Sequence, residues 1–381
     1  MKRCLCMLLL FAALLPGRVF GREPLRDGAM PIEAPSAILM EQETGTVLYE
    51  KNADERMTPA SVTKVMTLLL ITEDLEAGKI RKEDLVTASR RAASFGGSCV
   101  YLEEGEQMSV DEMLKCIAVV SANDCAVAMA EHLSGTEELF VARMNQRAEE
   151  LGLGNTHFTN CTGLFDDDEH YSCARDIALM SRELMRHKSV RDYTTIWMDS
   201  IRDGAFELVN TNKLVNRFEG CTGLKTGFTS KAMYCLSATA QRDGTAFIAV
   251  ILHGETSQKR FDAARTLLDY AFANYTLVSP LTEELSPVAV ELGEDDTVTA
   301  VCGESGRILV EKAKQRSLTA RAELPECVNA PVEKGQRLGT LTISAGEETV
   351  AEIPLVAAQG VERLSLGQIW LSLVRTLCGA T

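Results

Sequence analysis

The chain has 381 residues, long enough for two domains with a sizeable core, and its 46% hydrophobic and 24% charged content is ordinary for a globular protein. A formal net charge of −15 leaves no basic face for phosphates and excludes nucleic acid as a partner. Of the twelve cysteines, Cys4 and Cys6 fall in the N-terminal segment, and the other ten form no Cys-x-x-Cys pair and have no histidine at ligand spacing, so most read as small buried apolar side chains and no metal is expected.

Residues 1–21 read as a secretory signal. Lys2 and Arg3 precede an apolar run over 4–15, and Val19-Phe20-Gly21 suits a signal peptidase. The run is too short to span a bilayer, so the chain is expected to be exported with its mature start near Arg22. Unpaired thiols in an exported protein point to surroundings that are not strongly oxidising. Strands are expected at 36–41 and 45–50, joined through Glu43-Thr44-Gly45. Next comes Thr58-Pro59-Ala60-Ser61-Val62-Thr63-Lys64, with proline where a first helical turn tolerates it and an apolar run behind it. A loop follows, then a strand at 99–102. Ser109-Val110-Asp111-Glu112 opens a helix with a capping box. That helix stops at Ser121-Ala122-Asn123, and further helices are expected at 124–133, 137–151 and 174–187.

The stretch Gly223-Leu224-Lys225-Thr226-Gly227-Phe228-Thr229-Ser230 runs into apolar strands at 233–240 and 245–253, joined through Asp243-Gly244. A helix over 257–275 closes this region. Beyond Pro280 the pattern changes to short alternating strands broken by turns, a small all-β domain. Residues 364–377 form an amphipathic helix, with Leu366, Ile369, Trp370, Leu371, Leu373, Val374 and Leu377 on one face. It is expected to lie in a membrane interface rather than cross it. The reading is a mixed α/β (α+β) chain: signal 1–21, a larger domain 22–277 with an antiparallel sheet flanked by helices, a β domain 278–360 and a terminal helix 361–381.

Three short motifs stand in order: Ser61-x-x-Lys64, Ser121-x-Asn123 and Lys225-Thr226-Gly227. The first needs only two fixed residues, so chance supplies roughly one match in a chain this long. Its weight comes from the other two. Positions i and i+3 share a helix face, so Lys64 can serve as general base to a Ser61 nucleophile if its pKa falls by about three units. A neighbouring cation at Lys225 would push it that way. Ser121 is placed to relay a proton to the leaving amine, and Asn123 to hold a substrate carbonyl or position Lys64. Lys225 and Thr226 suit a free carboxylate, and Gly227 is expected to leave room for the substrate backbone.

This trio is the recognised signature of serine β-lactamases and penicillin-binding proteins, with Asp in the middle motif. With Pro59-Ala60-Ser61-Val62-Thr63-Lys64-Val65-Met66-Thr67, Asn155-Thr156-His157-Phe158, Thr162-Gly163-Leu164 and Gly223-Leu224-Lys225-Thr226-Gly227, residues 34–275 resemble the serine D-alanyl-D-alanine carboxypeptidases, the low-molecular-mass penicillin-binding proteins. Residues 193–214 are most similar to the sporulation-associated branch. The resemblance implies a β-lactamase/transpeptidase-like fold and no cofactor. It implies removal of the terminal D-alanine from peptidoglycan pentapeptides through an acyl-Ser61 intermediate, and acylation by β-lactams. Backbone N–H groups of Ser61 and Phe228 would form the oxyanion hole, and the terminal helix would sit on the outer face of the cytoplasmic membrane. Some relatives bind the carboxylate with an arginine upstream of Lys-Thr-Gly. Here that neighbourhood reads Asn210-Thr211-Asn212, so the resemblance shifts the task to Lys225, Thr226 and Thr229.

Two other readings compete. A β-lactamase would need a deacylating carboxylate, and no Glu-x-x-Leu-Asn stretch occurs between Asn123 and Lys225. An idle wall-binding protein would not need the intact trio. A histidine-based serine hydrolase lacks its Gly-x-Ser-x-Gly elbow.

Overall fold

The structure, a computed structural model, describes residues 18–19, 23–165, 167–279, 285–303 and 306–377. Apart from Arg18 and Val19, the expected signal lies outside them. The chain divides into two compact units, one of residues 23–275 and one formed by the described residues beyond 275 with Arg18–Val19.

The first unit is built on a five-stranded antiparallel sheet. Its strands are β1 (Ser36–Glu41), β2 (Val47–Lys51), β5 (Cys221–Thr229), β6 (Met233–Arg242) and β7 (Thr245–Gly254), in the order β2-β1-β7-β6-β5. Both faces of the sheet are covered. Ile248, Val250 and Leu252 of β7 join the main helical core, whereas Phe247 meets Phe272 of helix α6 (Ser257–Asn274) edge-on at 5.0 Å. Burial on both faces explains why β7 reads as an unbroken apolar run instead of an alternating one.

Helix α1 (Lys64–Glu76) is buried on nearly every side from Lys64 to Thr72, as its mostly apolar sequence requires, and packs on α5 (Ala174–Leu184). Ser61 itself lies in a 3₁₀ turn, Ala60–Thr63, that leads into α1. A two-stranded ribbon of β3 (Leu85–Thr87) and β4 (Gln107–Ser109) precedes α2 (Val110–Val119). The expected capping box is formed: Ser109 Oγ accepts from Glu112 N–H and Glu112 Oε2 accepts from Ser109 N–H. Such a cap contributes about 1 kcal/mol. Helices α3 (Asn123–Ser134) and α4 (Glu137–Glu150) complete the helical layer.

Residues 99–102 depart from the expected strand. Val100 and Leu102 are buried as a strand's inner face would be, but their N–H groups donate to the Asp124 carboxylate rather than to a neighbouring strand, and Tyr101 has φ 58°. A hairpin of Met198–Ile201 with Phe206–Val209, turning through Asp203-Gly204, adds a pair of strands beyond those expected.

The second unit is mostly β, with its own core. The longest strands, Arg337–Ala345 and Glu348–Ala357, form a hairpin flanked by Leu318–Glu323, by Ala300–Cys302 and by Arg18–Val19. Val298, Ile308, Leu341, Ile343, Ile353 and Leu355 fill the core. Helix α7 (Leu366–Leu377) follows the β strands, with Leu366 and Trp370 exposed. The side chains of Leu371, Leu373 and Leu377, part of the expected apolar face, lie outside the described residues. No described helix is long and apolar enough to cross a membrane. The described cysteines are free thiols, five of them fully buried and one, Cys327, exposed.

Candidate active site

Ser61 is held where three elements meet: the turn ahead of α1, the turn between α2 and α3, and edge strand β5. Two residues with side chains adopt left-handed backbone here, Ala60 (φ 48°) and Ser121 (φ 65°). Each such residue costs about 1–3 kcal/mol, strain that folded proteins tend to keep where geometry matters for function. The close approach of β5 to the Ser61 turn depends on Gly227. A Cβ there would stand 2.9 Å from Pro59 O and 3.0 Å from both Ala60 Cβ and Ser61 N. Its glycine therefore makes room for the nucleophile's own turn.

Lys64 Nζ lies at the centre. It is 3.3 Å from Ser61 Oγ, 2.5 Å from Asn123 Oδ1 and 2.8 Å from the carbonyl oxygen of Thr162. The Asn123 amide is oriented by its Nδ2, which donates to Gly96 O at 2.8 Å, so Oδ1 faces the lysine. Asn123 N–H donates to Ser98 O. An amide oxygen and a backbone carbonyl can only accept, so they take two N–H bonds of Lys64. In the ammonium the third N–H donates to Ser61 Oγ. In the neutral amine that direction belongs to the lone pair, and the Ser61 hydroxyl donates to it.

Burial pulls Lys64 down from 10.5 to about 7, against smaller upward contributions from Cys161, Cys99 and Asp124. Desolvation, not the expected repulsion by Lys225, is the main cause. The repulsion falls on Lys225, which is fully buried and held well below its ordinary value first by burial, then by the charges of Lys64 and Arg260.

The remaining sequence-predicted residues lie on the two flanking elements, Ser121 in the turn before α3 and Lys225 to Thr229 on β5. Ser121 Oγ is buried with no hydrogen-bond partner among the described residues. Lys225 Nζ donates to Thr226 O at 2.9 Å, and Thr226 Oγ1 donates to Thr211 Oγ1 at 2.7 Å. Phe228 projects an exposed ring onto Tyr234, with centroids 4.5 Å apart. Thr229 Oγ1 accepts from Ala232 N–H and so shapes the turn into β6. Strand β5 pairs with β6 on one side only, and its other edge is the rim of the sheet.

Several contributors had no assigned role in the sequence reading. Thr162 and Gly96 act through backbone carbonyls, for which side-chain identity is no signal. Gly163 packs so closely on the Ser61 turn that a Cβ would lie 1.9 Å from Ala60 O. Arg260 of α6 donates from Nη1 to Gly227 O and Cys235 O, bracing β5 from the far side.

The arrangement provides a hydroxyl nucleophile, a buried amine able to take its proton, a second buried hydroxyl and a buried lysine on the neighbouring strand. It is suited to acyl transfer on a substrate that ends in a carboxylate. Comparison with known proteins agrees. Residues 24–256 match the peptidase S11 family model, D-alanyl-D-alanine carboxypeptidase, and residues 275–363 match the penicillin-binding protein 5 C-terminal domain. The chain is 42% identical over 373 residues to D-alanyl-D-alanine carboxypeptidase DacF of Bacillus subtilis, covering 95% of each. The crystal structure of penicillin-binding protein 5 from Haemophilus influenzae superposes with TM-score 0.79 at 31% identity, over 88% of this chain and 100% of that one. Penicillin-binding protein D2 from Listeria monocytogenes, solved in an ampicillin-bound form, gives 0.59 at 31% identity over 64% of this chain and 99% of its own. The chain belongs to the D-alanyl-D-alanine carboxypeptidase family, the low-molecular-mass penicillin-binding proteins.

Proposed function

We propose that the chain removes the terminal D-alanine from peptidoglycan stem pentapeptides, with Ser61 as the acylated nucleophile. The observation that carries this is the 3.3 Å approach of Lys64 Nζ to Ser61 Oγ, with the lysine's other two partners pure acceptors. The neutral amine takes the Ser61 proton as Oγ attacks the carbonyl carbon of the penultimate D-alanine. Backbone N–H groups of Ser61 and Phe228 receive the developing oxyanion. The C–N bond then breaks, and the proton passes through Ser121 Oγ to the leaving nitrogen, so terminal D-alanine departs as a neutral amine. Water attacks the ester in the second half-reaction and restores the Ser61 hydroxyl.

Lys225, Thr226 and Thr229 hold the terminal carboxylate, and the substrate lies as an added strand along the open edge of β5. Asn123 serves two partners, Lys64 and the Gly96 loop, and so positions the base. Export as a processed chain, with domains near 22–277 and 278–360, and placement on the outer face of the cytoplasmic membrane through α7 complete the reading. The exposed Leu366 and Trp370 support an interfacial helix.

β-Lactams are substrate mimics for such a site. Intact mass and peptide mapping after brief exposure to benzylpenicillin are expected to give one covalent equivalent, on Ser61. An adduct on another residue, or undiminished labelling of Ser61→Ala, would contradict the assignment.

A further inference from the structure

Beneath the Ser61 turn runs a buried hydrogen-bond chain that uses none of the fixed residues of the three motifs. It begins at His170, which is fully buried with its ring edge-on to Phe158 at 5.8 Å. The backbone N–H of Thr159 donates to His170 Nδ1 at 3.1 Å. A backbone N–H can only donate, so Nδ1 carries no proton and the neutral ring bears its hydrogen on Nε2. That Nε2–H points at Thr63 Oγ1, 2.8 Å away. The Thr63 hydroxyl in turn donates to Ala60 O at 2.8 Å. Ala60 is the left-handed residue immediately before the nucleophile, in a conformation uncommon for any residue with a side chain. Gly163 closes over the same carbonyl. Burial lowers His170 to about 4, so the ring keeps this single tautomer throughout the neutral range.

We infer that His170 is a positioning residue for the nucleophile: through Thr63 it fixes the left-handed turn at Ala60 that aims Ser61 Oγ at Lys64. It acts through the turn and does not touch the substrate. The inference rests on the reading of Ser61 as the acylated residue.

Four variants test it: His170→Asn, His170→Gln, Thr63→Val and Thr63→Ser. The acylation rate constant of each is measured with a fluorescent penicillin, and folding is checked by thermal melting. Both His170 variants lose the ring's packing on Phe158. Asparagine places its amide near the Nδ1 position and reaches Thr159 only, whereas glutamine reaches the Nε2 position and can donate to Thr63. Misplacing a reacting group by about 1 Å can cost on the order of a hundredfold in rate. Acylation is therefore expected to fall by roughly tenfold or more in His170→Asn and Thr63→Val, and to stay within about threefold of wild type in His170→Gln and Thr63→Ser.

A merely structural histidine would not separate asparagine from glutamine. Folded His170→Asn acylating at the wild-type rate, His170→Gln no faster than His170→Asn, or Thr63→Val as fast as Thr63→Ser would each overturn the inference. Where a His170 variant does not fold, the Thr63 pair decides alone. Absence of Ser61 labelling in the wild type would instead overturn the functional reading.

Discussion

Lys64 has no carboxylate ion pair among the described residues, and this sets how the site responds to pH. Asp124, the nearby acid, is occupied by the N–H groups of Val100, Leu102 and Cys125. With its pKa lowered from 10.5 to about 7, the lysine is protonated below neutrality and free to act as base above it. The acylation rate by a β-lactam is therefore expected to rise with pH through about 7 and then level, falling about tenfold from the plateau for each unit below the pKa. A flat profile from pH 5.5 to 8.5, or one still rising steeply at pH 9, would contradict this. The same shift acts on stability. Between about 7 and 10.5 the unfolded chain holds a proton on this lysine that the folded chain does not, so this group makes stability increase with pH across that window. At this scale the sequence is informative where chemistry resides in side chains. Ser61, Lys64, Ser121, Asn123 and Lys225 could be named from motif and spacing. Thr162 and Gly96 could not, because any residue offers the same carbonyl. The cause of the Lys64 shift was also hidden, since burial depends on the whole surrounding core.

Among elements, α1 and the β6–β7 hairpin were legible because an apolar run behind a proline and an Asp-Gly turn act locally. Residues 99–102 were not, because their strand-like alternation is satisfied by a single distant carboxylate, Asp124. The Gly223–Thr229 stretch, expected on or just before a strand, lies wholly within strand β5. Its Gly227 serves the approach to Ala60 and Ser61, a contact between segments more than 160 residues apart in the chain. Helix α7 carries the prediction at this scale. Its amphipathic pattern and exposed Trp370 suit an interface, and its polar face offers few cations to anionic lipid, so attachment should depend on apolar burial. Deleting residues 362–381 is expected to move the protein from the membrane fraction to the soluble fraction while leaving penicillin labelling intact. Retention in the membrane fraction after the deletion would contradict the anchor.

At the scale of the whole molecule, all the proposed catalytic groups lie within residues 23–275, and no catalytic cluster was read in the β-rich unit. The mixed α/β class and the change of character beyond Pro280 were visible in composition and periodicity. The pairing order of the sheet was not, because strands β1 and β7 are neighbours despite some two hundred intervening residues. The open edge of β5 follows from that order, and the proposed route for the substrate depends on it. A β-lactamase with the same acylation machinery would hydrolyse penicillin rapidly, whereas a carboxypeptidase turns over a peptide. The most direct measurement is release of free D-alanine from a peptide ending in D-Ala-D-Ala by wild type and by Ser61→Ala. Steady release by wild type and a loss of at least about a thousandfold in the variant are expected. No release by wild type, or equal release by both, would contradict the proposed function.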